Sequence, residues 1–316
     1  MTPPTRRRGS ALIIVLLLLT LLVAVTVSMA SRGATDARRM ENRLTDLQGQ
    51  YAMQGALEHA IAVLRADLAA DEKALTEQSL PMADWSGEPW ATAIPAQPLG
   101  DGTYGFAITD EQARWNVNAL VDGAGNSAPA EKERFERLLA ACCPGVETSA
   151  FERGLLDWID ADSDGDFEQG APNRALLTTK ELFLVPGATS EILTGANGRG
   201  GLLPRLTRWT SGPVNVNTAS WEVLYAISDK FNAGAFARLE AARPLRTLDD
   251  LKGVLGLPLA DPLPPDLAST LTVRSTFFRV ALSFAKGGDE RHATAIVLKV
   301  HGQPARLWWD PDPVCP

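Results

Sequence analysis

An uncharged apolar segment near the N-terminus restricts the fold of this chain more than any other feature. Residues 11–30 contain no charged side chain. A helix of this length spans about 30 Å, which is the thickness of the hydrocarbon core of a bilayer. Arg6, Arg7 and Arg8 precede the segment, so by the positive-inside rule the N-terminus is cytoplasmic and the body lies on the other side. The sequence therefore predicts a single-pass membrane protein.

This apolar segment fits three kinds of N-terminus. The alternatives are a signal peptide cleaved after Ala30, a permanent signal anchor, and a leader cleaved after Gly9 with the apolar segment retained. The segment is longer than the roughly 7–15 apolar residues of an ordinary signal peptide. An amphipathic pattern with apolar residues every three or four positions follows from Met40 to Leu68, and no proline occurs between residues 5 and 80. We therefore expect one continuous helix over residues 10–80, which favours retention of the apolar segment over its removal as a signal peptide.

The charge balance argues against a nucleic-acid partner. The formal net charge is −8, and it becomes −11 if the leader is removed with its three arginines. An acidic surface is a poor match for a phosphate backbone. The segment LKGVLG, residues 251–256, resembles the hairpin of DNA-binding helix-hairpin-helix modules, but its single Lys252 stands beside Asp249 and Asp250. We therefore expect no nucleic-acid binding.

The chain has three cysteines, Cys142, Cys143 and Cys315, so at least one thiol is unpaired within the chain. Adjacent cysteines seldom bond to each other. A disulfide in an oxidising compartment would therefore join Cys315 to one member of the pair, and buried free thiols are the alternative. The pair lacks the CxxC spacing of a zinc or redox site.

The body has strand patterns at both of its ends and helical patterns between them. The stretch TYGFAITDE, residues 103–111, alternates apolar and polar side chains as a half-buried strand does. Other strand patterns occur near the C-terminus. We therefore predict an α+β fold. Its parts are a leader at 1–9, a membrane and spine helix at 10–80, a first part of the sheet at 81–112, an inserted helical domain at 113–270, and C-terminal strands at 271–316.

The helical insert contains a weak internal duplication. The stretch ARWNVNALV, residues 113–121, resembles GPVNVNTAS, residues 212–220, and helical patterns with a glycine-bearing hairpin follow each copy. Asparagine and threonine often cap helix N-termini. We therefore expect Asn217 and Thr218 to accept hydrogen bonds from the helix that follows at WEVLYAI, in preference to any catalytic use of the asparagines.

The strongest chemical signal is the acidic stretch DADSDGDFE, residues 160–168. Its carboxylates are Asp160, Asp162, Asp164, Asp166 and Glu168. They follow the first nine positions of an EF-hand loop, in which oxygens surround one hard cation and a glycine, here Gly165, permits a sharp turn. The twelfth position is Ala171 instead of glutamate, so a more distant residue such as Glu181 would complete the loop. We predict a structural Ca²⁺ site, with a solvated acidic loop as the alternative.

No catalytic motif accompanies this metal signal. The sequence contains no GxSxG, HExxH, Walker A or GxGxxG pattern, and none of His59, His292 and His301 is near a plausible nucleophile in sequence. We therefore expect no enzymatic activity. A membrane-anchored periplasmic hydrolase that depends on a divalent metal is an alternative that a panel of hydrolytic assays would reveal.

Five stretches, in order along nearly the whole chain, carry a resemblance to one known family. They are RRRGSALII at the N-terminus, DEQARWNVNAL, LLDWIDADSD, NRALLTTKELFLVPG and VNVNTASWEVL. Together they resemble the minor pseudopilin K subunits of type II secretion systems. The first is similar to a type IV prepilin leader, which implies cleavage between Gly9 and Ser10 and methylation of the new N-terminus. Most pilins have glutamate at the fifth mature position, where this chain has Ile14.

Ile14 suits a subunit at the end of a filament. A carboxylate in hydrocarbon is costly, and pilins retain it because it pairs with the N-terminal amine of a neighbouring subunit. A subunit with no neighbour beyond it has no such amine, so an apolar side chain is favoured there.

The resemblance implies a pilin-like long helix packed on a small antiparallel sheet, with a large helical domain inserted in the sheet. It implies a subunit in the bacterial inner membrane with a periplasmic body, which primes and caps the pseudopilus for protein secretion across the outer membrane. The implied partners are the I and J minor pseudopilins, the major pseudopilin and the prepilin peptidase, and the implied cofactor is calcium. The acidic loop is shorter than the usual family version, which leaves the ligand set open. A minor pilin of a type IV pilus or competence system, with a basic surface, is the alternative.

Overall fold

The computed structural model describes residues 10–195, 200–210, 212–300 and 304–310. The chain divides into two compact units, Met1–Gln54 and Gly55–Pro316. One helix, α1 (Ser10–Gln78), contains the described part of the first unit and continues into the second. Its 69 residues correspond to about 100 Å at 1.5 Å per residue. The predicted continuous helix is therefore present, and it ends two residues before the expected boundary.

The N-terminal part of α1 has the properties of a membrane span. It is long and apolar enough to cross a bilayer once, and its large apolar side chains from Leu12 to Met29 are exposed to the surroundings. A helix satisfies its backbone hydrogen bonds internally, so lipid can surround such side chains without penalty. This part of the chain fits the predicted single-pass anchor, while the leader and Gly9 lie outside the described residues.

The described residues of the second unit form nine strands and seven further α-helices. The strands are β1 (Ile94–Leu99), β2 (Gly102–Asp110), β3 (Trp115–Asn116), β4 (Leu206–Thr207), β5 (Val214–Asn215), β6 (Leu271–Thr272), β7 (Phe277–Lys286), β8 (Asp289–Leu298) and β9 (Ala305–Asp310). The helices are α2 (Pro129–Cys142), α3 (Ser149–Ile159), α4 (Ser190–Leu193), α5 (Trp221–Ile227), α6 (Ala233–Ala242), α7 (Leu251–Leu255) and α8 (Pro265–Thr270).

Five strands form one antiparallel sheet in the order β1-β2-β7-β8-β9. In β7 every second side chain from Phe278 to Phe284 is buried, as expected for a strand with one face against a core. The second-unit part of α1 packs on this sheet, where the ring of His59 meets Phe106 of β2 edge-on at 5.0 Å between ring centroids.

The helical insert lies between β2 and β7, which are neighbours in the sheet. The chain leaves the sheet after Asp110 and returns before Phe278, and these two residues pair across the strands. The insert has its own hydrophobic core. Within it Phe135 of α2 stacks on Trp115 at 5.4 Å and contacts Phe151 of α3 at 6.4 Å. The predicted α+β class, a pilin-like helix and sheet with a helical insertion, is confirmed.

Some elements escaped prediction for identifiable reasons. Strand β1 contains Pro95 and Pro98, which weaken a strand signal, and proline is tolerated there because β1 is an edge strand. The parallel pairs β3–β4 and β5–β6 have two residues per strand, which is too short for an alternating pattern. Helix α2 begins at Pro129, and proline is favoured in the first turn of a helix.

The internal duplication corresponds to two equivalent side-chain arrangements. The Asn118 side chain accepts a hydrogen bond from the N–H of Leu176 (2.8 Å) and donates to the carbonyl of the same residue (3.2 Å). Asn217 makes the same two bonds with Leu245, at 2.8 and 2.9 Å. Each asparagine therefore ties the start of a repeat to the segment that precedes its hairpin.

The expectation that Asn217 and Thr218 cap α5 is wrong. The amide of Asn217 is occupied by Leu245, 28 residues away in sequence, and the Thr218 hydroxyl donates to Asp110. The N-cap position of α5 is Ser220. Local spacing suggested a capping role, but the fold directs both side chains towards distant parts of the chain.

Candidate functional site

The acidic loop begins where α3 ends. Asp160 is the C-cap of this helix, and Asp157 lies in its last turn. The Asp157 carboxylate accepts a hydrogen bond from the N–H of Phe167 (2.7 Å), so the loop folds back over the helix end. Gly165 is required at this crossing, because a Cβ there would lie 2.4 Å from the Asp157 carboxylate. The glycine thus permits close contact between the loop and the Asp157 side chain.

Three of the five predicted carboxylates come together in this loop. One oxygen each from Asp160, Asp162 and Glu168 lies within 4.8 Å of the other two. Two oxygens bound to one calcium ion at about 2.3–2.6 Å are at most about 5 Å apart. The spacing of the three carboxylates is therefore compatible with ligation of one such ion.

The electrostatics of the loop favour a bound cation. The pKa of Asp160 is raised from 3.8 to about 6, first by burial and then by the negative charges of Asp162, Glu168 and Asp157. Desolvation and like charges both oppose ionisation of a carboxyl group. A bound divalent cation would remove this penalty, because its charge stabilises the ionised carboxylates.

Unpartnered oxygens mark the same place. Asp160 Oδ1, Glu168 Oε1 and Asn173 Oδ1 are buried without a hydrogen-bond partner among the described residues. A buried polar atom without a partner costs about 1–3 kcal/mol. Asn173 is held in the loop because its side-chain amide donates to the carbonyl of Asp162 and to Glu168.

Sequence reasoning did not single out Asn173. Its backbone has φ +47°, a left-handed conformation that asparagine tolerates better than most residues. The one signal in the sequence is an amide side chain shortly after the acidic stretch. That signal becomes meaningful when the loop is seen to fold back on itself.

The other two predicted carboxylates lie apart from the group of three. Asp166 pairs with Arg153 at 3.2 Å and is 70% exposed. Asp164 is exposed, and its N–H donates to Asp162 Oδ1 at 2.9 Å. Their participation in a metal site stays a prediction and would require a rearrangement of the loop.

Glu181, which the sequence suggested as a closing ligand, has another role in the structure. Its Oε1 accepts hydrogen bonds from the N–H groups of Leu177 (2.9 Å) and Thr178 (3.0 Å). Its other oxygen pairs with Arg174 at 3.1 Å. Glu181 therefore forms a capping box with Thr178 and does not reach into the acidic loop.

A second acidic group surrounds a lysine in place of a metal. Carboxylate oxygens of Asp67, Asp71 and Asp84 lie within 4.8 Å of one another. The Lys299 ammonium pairs with all three, at 2.5 Å from Asp67 and 3.9 Å from Asp71. The ammonium supplies the cation, so this group is structural. Its members are too far apart in sequence to be grouped by pattern.

The hairpin lysine and the adjacent cysteines are both withdrawn from solvent. Lys252 is buried and pairs with Asp249 at 2.8 Å, so its charge is neutralised within the hairpin. Cys142 and Cys143 are buried free thiols, and burial raises the pKa of Cys142 to about 12. A thiol with such a pKa is unreactive at neutral pH. Cys315 lies outside the described residues.

Comparison with known proteins identifies the family. A family model for type II secretion system (T2SS), protein K matches residues 113–197, a range that includes the acidic loop. The type II secretion system protein K of Pseudomonas aeruginosa is 32% identical over 235 aligned positions, and the match covers 70% of this chain and 69% of that protein. The chain belongs to the type II secretion system protein K family.

Other members and a solved structure extend the similarity. Protein K of Pectobacterium carotovorum subsp. carotovorum is 25% identical over 331 aligned positions, and the match covers 96% of this chain and 95% of that protein. A chain in the crystal structure of the GspK-GspI-GspJ complex from the type 2 secretion system of enterotoxigenic Escherichia coli has the same fold. The TM-score is 0.61 at 20% identity, and the match covers 86% of this chain and 99% of that chain.

Membership of the protein K family confirms the predicted function class. The chain is a minor pseudopilin of a type II secretion system and takes part in protein transport. The family is a structural component of the secretion apparatus. The five stretches quoted from the sequence therefore identified the family correctly, and the alternative of a type IV pilus or competence subunit is not needed.

Proposed function

We propose that this member of the protein K family stands at the tip of a periplasmic pseudopilus, where it primes assembly and closes the filament to further subunits. The observation that carries this proposal is the insert between β2 and β7, which adds a second hydrophobic core to a pilin-like body. A shaft subunit must leave room for the next subunit on both sides. An additional folded domain on the body suits a position where subunits are added on one side.

The I and J minor pseudopilins are the proposed partners at the tip. A chain of the same fold occurs in the GspK-GspI-GspJ complex of enterotoxigenic Escherichia coli. The major pseudopilin would then be added beneath the three minor subunits. Ile14 in the apolar segment agrees with a terminal position, because a terminal subunit has no outer neighbour whose amine could pair with a carboxylate.

The partner proposal is tested by co-purification. The full chain, carrying an affinity tag at its C-terminus, is extracted in detergent from cells that contain the whole secretion system. Retention of both I and J in equal amounts is expected. An unrelated membrane protein of similar abundance serves as the control and should be absent from the eluate. If both I and J are also absent from the eluate, the proposal is contradicted.

The N-terminus is proposed to be processed between Gly9 and Ser10 by the prepilin peptidase. The amino end would then face the cytoplasm and the body the periplasm of the inner membrane, as the arginines before the span indicate. N-terminal sequencing of the membrane-extracted chain should give a methylated Ser10. A chain that starts at Ser31, or that keeps Met1, contradicts retention of the apolar segment after processing.

The acidic loop is proposed to hold one structural calcium ion through Asp160, Asp162 and Glu168, with the side-chain oxygen of Asn173 as an additional ligand. The support is the convergence of three carboxylates and the buried oxygens that lack a partner. The donor set contains oxygen atoms alone, which suits a hard cation. No nucleophile or general base is assigned to the loop, and we propose that the protein is not an enzyme.

Calorimetric titration of the metal-free full chain in detergent tests the calcium proposal. Calcium should bind with a stoichiometry near one, and magnesium should bind more weakly because it demands a tighter octahedral arrangement. The variant Asp160→Asn should weaken calcium binding, whereas Glu133→Gln, which changes an exposed acid on α2, should leave it unchanged. Absence of calcium uptake by the wild-type chain contradicts the proposal.

A further inference from the structure

The junction between the insert and the sheet is built from buried polar residues. Asp110, Glu111 and Gln112 follow one another at the end of β2 and are 5%, 0% and 5% exposed. Burying polar groups is costly unless each is hydrogen-bonded. A junction that served packing alone would be apolar, so the partners of these three residues are informative.

Asp110 joins the insert to the segment that returns to the sheet. Its Oδ2 accepts hydrogen bonds from the Ser275 hydroxyl (2.6 Å) and the Asn215 amide (3.1 Å), and the hydroxyl of Thr218 donates to the same oxygen. Asn215 and Thr218 belong to the insert, and Ser275 precedes β7. One buried carboxylate therefore binds both sides of the junction.

Glu111 makes a second connection of the same kind. Its carboxylate receives two hydrogen bonds from the Arg279 guanidinium of β7, at 2.8 and 2.9 Å. The same carboxylate accepts from the hydroxyl of Thr207 in the insert strand β4, at 2.8 Å. A bidentate arginine pair fixes orientation as well as distance, because both groups are planar.

Gln112 makes the third connection through both ends of its amide. The amide nitrogen donates to the carbonyl of Pro213 in the insert (2.9 Å). The amide oxygen accepts from the N–H of Thr276, at the edge of the sheet, at 2.6 Å. Three successive side chains therefore each bridge the insert and the sheet.

The network continues to the second-unit part of α1. The carbonyl of Asp84 accepts from Asn215 of the insert (3.0 Å), and the Asp84 carboxylate accepts from the N–H of Ser275 (2.7 Å). Lys299 pairs with the same carboxylate and with Asp67 of α1. An unbroken series of buried polar contacts thus connects the helix, the sheet and the insert.

We propose that Asp110, Glu111 and Gln112, with the partners named above, form a rigid polar mount that holds the insert in one orientation relative to the sheet and the adjoining part of α1. An apolar contact surface can slide, whereas hydrogen bonds at fixed angles cannot be displaced without leaving buried groups unpartnered. The importance of the mount for capping rests on the proposed tip function, because only a domain of fixed orientation blocks the addition of a subunit reliably.

Spin-label distance measurements on the detergent-solubilised full chain test the mount. Labels are placed at Ala140→Cys on α2 and Ala281→Cys on β7, both exposed positions, in a Cys315→Ser background. The buried Cys142 and Cys143 remain, and the parent without added cysteines measures any label they take up. The variant combines Asp110→Asn with Glu111→Gln. The matched control is Glu222→Gln, which breaks the Arg205–Glu222 pair (2.8 Å) inside the insert.

A single narrow distance distribution is expected for the parent and for Glu222→Gln, and a distribution at least about twofold wider for the double variant. A wide distribution in the parent, or an unchanged width in a folded double variant, overturns the proposal. The parent chain can show a narrow distance distribution and yet fail to block the addition of further subunits to the filament. In that case the proposed tip function is wrong, but the polar mount is still supported.

Hydrogen exchange on the unmodified chain provides a measurement that does not depend on a variant folding. The N–H groups of Gln112, Ser275 and Thr276 donate to side chains of the mount. They should exchange at least about a hundredfold more slowly than the N–H of the exposed Gly123, because a rigid junction opens rarely. Exchange at the rate of Gly123 contradicts a rigid junction.

Discussion

The variant Asp160→Asn should change stability in opposite directions with and without calcium. In the metal-free chain the pKa of Asp160 is raised from 3.8 to about 6 by burial and by neighbouring carboxylates. Each pH unit of such a shift corresponds to about 1.4 kcal/mol. Ionised Asp160 therefore destabilises the metal-free fold at pH 8 by at most about 3 kcal/mol, and by less to the extent that solvent screens the charges of the loop. Asparagine has nearly the same shape and no charge, so the metal-free variant should be more stable than the wild type by about 1–3 kcal/mol.

Calcium should reverse this order. A ligand that binds the folded state alone stabilises it by about 2.7 kcal/mol at a concentration of one hundred times Kd. The wild type receives this stabilisation, whereas the variant has lost a charged ligand and receives less of it. Chemical denaturation of the full chain in detergent, at pH 8 with either excess chelator or excess calcium, measures both free energies of unfolding.

The pH dependence of the metal-free chain has a definite sign. The folded-state pKa of Asp160 lies above the unfolded value, so the folded state binds the proton more tightly. The metal-free wild type should therefore gain stability as the pH falls from 8 through 6 towards 4, and the variant should lack this contribution. Asp71, Glu88 and Asp110 also have raised pKa values. They affect both chains equally, so the difference between the chains isolates Asp160.

The exposed substitution Glu133→Gln serves as the control and should change stability by less than about 0.5 kcal/mol under each condition. Destabilisation by Asp160→Asn of equal size with and without calcium would refute the reasoning. In that case the side chain would serve the metal-free fold, and the unpartnered oxygens would have another explanation.

Three further predictions concern the second unit. Lys299→Met should destabilise the fold by about 3–5 kcal/mol in denaturant titrations, because it leaves the buried carboxylates of Asp67 and Asp84 without their cation. The control Lys286→Met removes an ion pair whose Asp101 is 71% exposed, and it should cost less than about 1 kcal/mol. Equal costs for the two variants would contradict a buried ion network. Phe135→Ala should cost about 3–5 kcal/mol in the same titration, because the ring is fully buried between Trp115 and Phe151; a cost below about 1 kcal/mol would mean that this core is not packed as described. Cys142 and Cys143 should resist a maleimide reagent in the folded chain and react after denaturation, as judged by mass spectrometry, because both thiols are buried. Rapid labelling of either thiol in the native chain would show that the C-terminal end of α2 is exposed to solvent.

The sequence predicted the larger elements because their signals are local and periodic. The spine helix has an apolar span, an amphipathic continuation and no internal proline, and it extends over Ser10–Gln78. Strand β2 has a largely alternating pattern and ends at Asp110. Elements without a periodic signal were missed: β1 is interrupted by prolines, and the paired strands of the insert have two residues each.

The candidate metal site was predictable in part. The alternation of carboxylates with Gly165 pointed to the acidic loop, because that pattern is local. The position of Asn173 in the site and the contact between Asp157 and Gly165 depend on how the loop folds back. No spacing of residues in the sequence predicts that fold. The polar mount could not be predicted from the sequence for the same reason, because Asp110 and Ser275 are 165 positions apart. The error over Asn217 and Thr218 is similar, because their partners are set by the tertiary fold.

The most direct test of the tip function is to locate this protein on assembled pseudopili. Filaments are isolated from cells that express all pseudopilins, and a gold-labelled antibody fragment against the helical insert is imaged by electron microscopy. Label at one end of each filament, with none along the shaft, is the predicted result. Label distributed along the shaft would show that subunits can be added beyond the insert, and it would contradict the account of this protein as a cap.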